Sequence, residues 1–278
     1  MGTSVSSKGP KGGCPLIPPW VESEVSSVPS EKPKEKPETK EGTEKPKAQP
    51  QKAPDRRFSG ARSSLGRFAS RSGDHEALGR GLGHYSATGL GGSRNAALRM
   101  SGGARKAGAL YSMLSGGGGG RKGATPLPGL SSKELAGKSS KEIADIIIEH
   151  LCPIDGTQDA EASRNAMSDA LGEFIDAHPE ADLTALSAEQ AQEVTELFVG
   201  EDIYRRAVLD IGQSIHKNAP TAREALARLE EIRHFIKESV LTCFREDAAS
   251  LRNLSAQQAT SLVTTITESV FRVFESYL

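Results

Sequence analysis

Apolar residues recur at intervals of three and four through the second half of the chain. The stretch before Pro179 puts Met167, Ala170, Leu171, Phe174 and Ile175 on one helical face. The stretch after Thr221 does the same with Ala225, Leu226, Leu229, Ile232, Ile236, Val240 and Cys243. The last stretch aligns Ala259, Leu262, Val263, Ile266, Val270 and Phe274. A helix turns once in about 3.6 residues, so these intervals stack apolar groups in a stripe, whereas a half-buried strand would alternate them. Four pairs mark helix starts: Ser139 with Glu142, Ser187 with Gln190, Thr221 with Glu224 and Ser255 with Gln258. In each, the hydroxyl can accept from a free first-turn N–H while the third residue on reaches back. Residues 131–278 therefore predict an all-helical, bundle-like domain long enough to enclose one core.

Upstream the pattern changes. Between 58 and 115 single apolar groups, among them Phe58, Leu65, Phe68, Leu78, Leu82, Tyr85, Leu110 and Tyr111, are spaced through Gly, Ser and Arg. Short helices are expected near 58–70, 74–87, 93–100 and 104–115. Each is weakened by its glycines, which cost about 1 kcal/mol apiece in a helix interior. The Gly116–Gly120 run opens a second linker, 116–130. Residues 21–57 repeat Pro, Lys and Glu without aromatics, the composition of an extended, solvated linker. At about 3.1 Å per residue it reaches on the order of 100 Å, far enough to carry residues 1–20 to a distant partner. The predicted fold class is thus mainly α: a disordered N-terminal arm, an Arg/Gly-rich short-helix region and a C-terminal helical domain.

Composition sharpens this picture. Apolar residues are only 36% of the 278 and aromatics 5%, with 29 glycines and 15 prolines unevenly placed. Residues 1–55 carry 9 basic and 8 acidic groups, 56–122 carry 12 and 2, and 129–278 carry 14 and 26. The respective balances of +1, +10 and -12 sum to the overall -1. A basic middle beside an acidic domain can pair with it internally or bind an external polyanion. Cys14, Cys152 and Cys243 are too scattered for a disulfide framework, so a reduced, cytoplasmic setting is expected. The chain has no long apolar run and no apolar-cored leader, so no membrane span is expected.

Candidate chemistry is sparse. His75, His84, His150, His178, His216 and His234 form no metal-binding spacing, so neither metal nor cofactor is expected and the chain is read as non-enzymatic. His150 near Cys152 suggests a thiol–imidazole pair. A helix C-terminus explains both better, with His150 favoured by the dipole and Cys152 a small apolar residue before Pro153. Gly137-Lys138-Ser139 ends like a phosphate loop, but Ser132 stands where the first glycine is needed. The many C-terminal carboxylates are expected on solvated helix faces. The basic segment offers Arg57, Arg62, Arg67, Arg71, Arg94, Arg99 and Arg105 as polyanion contacts, with Phe68 and Tyr85 as stacking surfaces. Pairing with the acidic domain or a protein partner accounts for the same arginines equally well.

The N-terminus is the other candidate. Gly2, freed of Met1, offers an α-amine whose pKa of about 7.7–8.0 leaves a useful unprotonated fraction near neutrality. Thr3 and Ser4 can hydrogen-bond a partner, and Pro18, Pro19 and Trp20 make a stiff aromatic anchor within the apolar island Pro15–Trp20. An ordinary frayed terminus is the bland alternative, and an apolar island is out of place in one. Gly2 and Ser6 also meet the short N-myristoylation pattern, which requires a eukaryotic acyltransferase.

MGTSVSSKGPKGG followed by PLIPPW, together with ARSSLGRFA, GDHEALGRGLGHY and HYSATGLGGSRNAALRM, resembles the QatB family of the Qat anti-phage defence system. The resemblance covers roughly the first 115 residues apart from the linker. It implies a four-component system with an ATPase (QatA), a QueC-like enzyme (QatC) and a TatD-like nuclease (QatD) as partners. It further implies Gly2 as the acceptor of a deazaguanine-type group, with Thr3 and Ser4 as recognition residues. The competing reading is a nucleic-acid adaptor working through residues 56–122.

Overall fold

The computed structural model describes residues 16–17, 53–71, 73–116, 129–130, 132–247 and 254–278. All regular structure among them is helical, as the spacing predicts. The basic region forms α1 (Ser59–Ser70), α2 (His75–His84), a π-turn (Tyr85–Gly89), α3 (Ser93–Arg99) and α4 (Ser101–Leu114). After the turn α5 (Ser132–Leu135) come α6 (Ser140–Leu151), α7 (Gln158–Ala177), α8 (Ala188–Ile211), α9 (Gln213–Asn218), α10 (Ala222–Asp247) and α11 (Ala256–Glu275).

The starts fall where the capping pairs put them. Ser139, Ser187 and Ser255 each accept from the N–H three residues on, and the side chain there returns to the cap N–H. At Thr221 the hydroxyl accepts from Glu224 N–H at 3.2 Å and donates to its Oε2 at 2.8 Å. Each cap contributes about 1 kcal/mol by satisfying a donor the helix cannot. Ser139 is therefore a cap and not part of a phosphate loop. Cys152 ends α6 fully buried, and burial pushes its thiol up, away from reactivity.

The expected faces are buried with two kinds of exception. Ile175 and Leu262 are only partly buried, and Leu226 is 64% exposed. Leu226 follows Ala225 directly, a rotation of about 100°, which carries it off the stripe that Ala225, Leu229 and Ile232 share. Phe271, fully buried in α11, joins that helix's apolar face beside Val270.

The basic region and the acidic helices share one hydrophobic core. α11 lies against α4, α3 and α2, α9 against α1, and α4 against α8. Aromatic rings join the two parts: Tyr85 lies 5.8 Å from Phe58 and 6.3 Å from Phe271, which meets Phe274 edge-on at 5.5 Å. Phe68 and Tyr85, expected to stack on bases, are instead 0% and 1% exposed. The reason is the size of their apolar rings, which the core gains most by enclosing.

Glycine makes this closeness possible. A methyl on Gly108 in α4 would lie 2.6 Å from the backbone N and 2.7 Å from the backbone O of Thr260 and Ala256 in α11. One on Gly83 in α2 would lie 2.8 Å from Phe274 O. The residues that weaken these helices individually let their backbones approach.

Candidate functional site

The central helix α8 packs on α7, α10 and α4, so it has little solvent-facing surface. Four of its charged groups are therefore buried, three of them carboxylates that were expected on solvated faces: Glu201 is 0%, Asp202 4%, Arg206 8% and Asp210 8% exposed. Burying an unpaired charge costs several kcal/mol, so each must find a partner. Arg206 donates from Nε to Asp202 Oδ2 at 3.1 Å and pairs with Asp159 at 3.2 Å. Ser163 on α7 donates to Asp202 Oδ1 at 2.7 Å. Burial pulls the Arg206 pKa down, but the Asp202 and Asp159 charges outweigh it and hold the value above the ordinary one.

One turn on, Tyr85 of the π-turn donates to Asp210 Oδ2 at 3.1 Å, and Arg62 of α1 donates to the Asp210 carbonyl at 2.9 Å. Burial raises the Asp210 carboxyl, opposed by the charge of Arg99 and the Tyr85 hydrogen bond. Burial also pushes the Tyr85 phenol well up, with the Asp210 charge adding to it. This cluster holds α1, α7, α8 and the π-turn in register, buried except at Asp159, whose side chain is 44% exposed. A third buried carboxylate, Glu201, accepts from Arg233 Nε at 2.6 Å with Lys237 at 3.6 Å. The signal in the sequence was Asp202, Arg206 and Asp210 at intervals of four along one face of the helix. Such a stripe is as well suited to a wet face, and its burial is settled only by the helices packed on α8.

The basic residues divide into two groups. Arg57 is 5% exposed with its guanidinium 4.7 Å over the Phe58 ring, and Arg99 lies partly buried with its charge acting on Asp210 and Tyr85. Arg67, Arg71, Arg94 and Arg105 are exposed. Arg62 and Arg67 meet Lys217 of α9 along a groove between α1 and α9.

Gly2, Thr3, Ser4, Pro18, Pro19 and Trp20 lie outside the described residues. Two residues of the apolar island, Leu16 and Ile17, are described. Leu16 is 7% exposed, and its Cδ1 lies 2.9 Å from where a methyl on Gly91 would sit. Gly91 has φ +82°, a conformation L residues rarely adopt, so a side chain there is excluded twice over. Next to this seat Asn95 Nδ2 donates to Gly91 O at 2.8 Å and fixes the turn.

Residues 91–274, about two thirds of the chain, match the family described as Qat anti-phage system associated protein QatB. The chain belongs to the QatB family. The match runs from the Leu16 seat through α3 to α11 and takes in the buried α8 cluster. Most of the N-terminal blocks that resemble QatB lie before it; GGSRNAALRM is common to both. In this QatB-family chain the last two helices of the basic region and the helices after them together carry the assignment. No curated protein and no solved structure matches the chain. Among the described residues no cluster of His, Cys, Asp or Glu could hold a metal ion, and no helix is long and apolar enough to cross a membrane.

Proposed function

We propose that this QatB-family component of the Qat anti-phage system is a non-catalytic helical body that presents Gly2 to a modifying partner in the cytoplasm. The seating of Leu16 against Gly91 carries the reading. It ties the apolar island to the body, so the front of the chain starts from a fixed point and not from the far end of the 21–57 linker. Gly2 lies fourteen positions before Leu16. At no more than about 3.6 Å per residue it stays within about 50 Å of the seat, half the reach of a free linker. Ala53 is also buried.

The chemistry belongs to the partner. A QueC-like enzyme (QatC) joins the Gly2 nitrogen to an activated carboxyl carbon of a deazaguanine-type base. An amide forms, the activating group leaves and the amine gives up its proton. Thr3 and Ser4 enter the partner's cleft, and Pro18, Pro19 and Trp20 offer that partner a stiff aromatic anchor. The ATPase (QatA) and TatD-like nuclease (QatD) complete the assembly. Intact mass and N-terminal peptide mass of the chain, co-expressed with its system and under phage challenge, test this. An added mass on Gly2, lost in Gly2→Val and reduced in Leu16→Asp, is expected. A plain N-terminal glycine under active defence sinks the reading.

A further inference from the structure

The last turn of α11 takes hold of the π-turn at two points. Phe271 and Glu275 stand four positions apart, hence on one face of the helix. The Phe271 ring lies 6.3 Å from the Tyr85 ring. Glu275 Oε1 accepts from the Ser86 hydroxyl at 2.6 Å, within the range of a hydroxyl bonded to a charged carboxylate. Ser86 is 0% exposed, so this carboxylate replaces the water that its hydroxyl gave up on folding.

Ser86 in turn organises the backbone that follows it. Its carbonyl accepts from Leu90 N–H at 3.3 Å and from Gly92 N–H at 3.0 Å. Leu90 N–H also reaches five residues back to Tyr85 O at 2.9 Å, the bond that makes the turn π. The chain leaves through Gly91 at φ +82° and Gly92 at φ +98°, conformations that favour glycine. Leu16 sits in the space they leave, its Cδ1 2.9 Å and Cδ2 3.4 Å from where a methyl on Gly91 would be. Glu275 Oε1 lies 4.0 Å from the corresponding point on Gly92. One carboxylate oxygen thus stands against both ends of the segment that frames the seat, bonded to Ser86 and beside Gly92.

We propose that Glu275 is the positioning residue of this seat. Through Ser86 it holds the π-turn in the form that admits a leucine side chain, and so sets how firmly the arm is docked. This role rests on Leu16 being the arm's anchor, as the proposed function has it, and not on the chemistry at Gly2.

Trp20 is the one tryptophan of the chain and stands four positions from Leu16, so its fluorescence reports docking without any partner. Acrylamide quenching of the full chain is measured beside Leu16→Asp, which releases the arm. Loss of the charge-assisted hydrogen bond should lower the docked-to-released ratio about tenfold in Glu275→Ala and in Ser86→Ala. Quenching in both should move from the wild-type value toward that of Leu16→Asp. The double variant should go no further than either single one, since both remove the same bond. Glu275→Gln keeps an acceptor in place and should stay near wild type. Glu268→Ala, also on α11 but paired with Arg272, should leave quenching unchanged. Far-UV circular dichroism separates a loss of docking from a loss of fold, and Ser86→Ala decides where Glu275→Ala loses helicity.

Wild-type quenching in Glu275→Ala and Ser86→Ala, with Leu16→Asp raised, overturns the role of Glu275 and leaves the seat standing. So does an equal rise in Glu268→Ala, which would assign the effect to α11 at large. Equal quenching in wild type and Leu16→Asp overturns the seat and this role with it. None of these outcomes depends on whether Gly2 is modified.

Discussion

Helix α4 has three glycines in fourteen residues and α7 one in twenty, yet both lie against central helices of the same core. In α4 the space beside Gly103 is filled by the Asp202 carboxylate, and the space beside Gly108 by α11 backbone. In α7 nothing stands within 4 Å of where a methyl on Gly172 would sit. The basic region reaches its packing by bringing backbones together, and the acidic region by capped, longer helices with broad apolar faces. Glycine content is therefore no measure of how loosely a segment is held. In α1 to α4 it is the condition for docking.

The rings that join the two regions give the largest test. Phe271→Ala removes the partner of both Tyr85 and Phe274 and leaves a cavity at the junction. It should destabilise the protein by about 3–5 kcal/mol in urea denaturation. A single transition should remain if the regions share a core, whereas two separated transitions would break the comparison. Next, Gly108→Ala should cost about 1–3 kcal/mol, because the obstructing atoms are backbone and cannot rotate away. Gly172→Ala should gain about 0.5–1 kcal/mol by lowering the entropy lost on helix formation. Equal effects at the two sites would show that α4 is no tighter than α7.

The smallest effect concerns charge. Burial raises the Glu201 carboxyl in spite of its bond to Arg233, and burial raises Asp210 likewise. A carboxyl raised on folding binds protons more tightly in the folded chain. Its stabilising contribution is full below the ordinary carboxylate pKa of about 4.3 and is lost as pH rises through the folded value. Glu201→Gln removes that titration and should flatten the urea midpoint against pH over this window. An unchanged slope would place the pH dependence elsewhere, with Asp210 the first alternative.

Helices, their starts and most buried faces were determined by the sequence alone. Hydroxyl–carboxamide or hydroxyl–carboxylate pairs three apart and apolar intervals of three and four act locally, within a turn or two of the same helix. Even the basic character of residues 56–122 was plain. Which arginines face water was not: Arg57 turns onto Phe58 while Arg67 stays outside, and the choice belongs to the neighbours α2, α8 and the π-turn bring. The buried Asp202–Arg206–Asp210 stripe was likewise visible as spacing but not as burial, because α8 is enclosed only once α4, α7 and α10 pack on it. The Leu16 seat and the α1–α9 groove join residues 75 and more than 140 positions apart. Contacts over such separations depend on how whole helices dock, a matter of shape and excluded volume that no local pattern encodes.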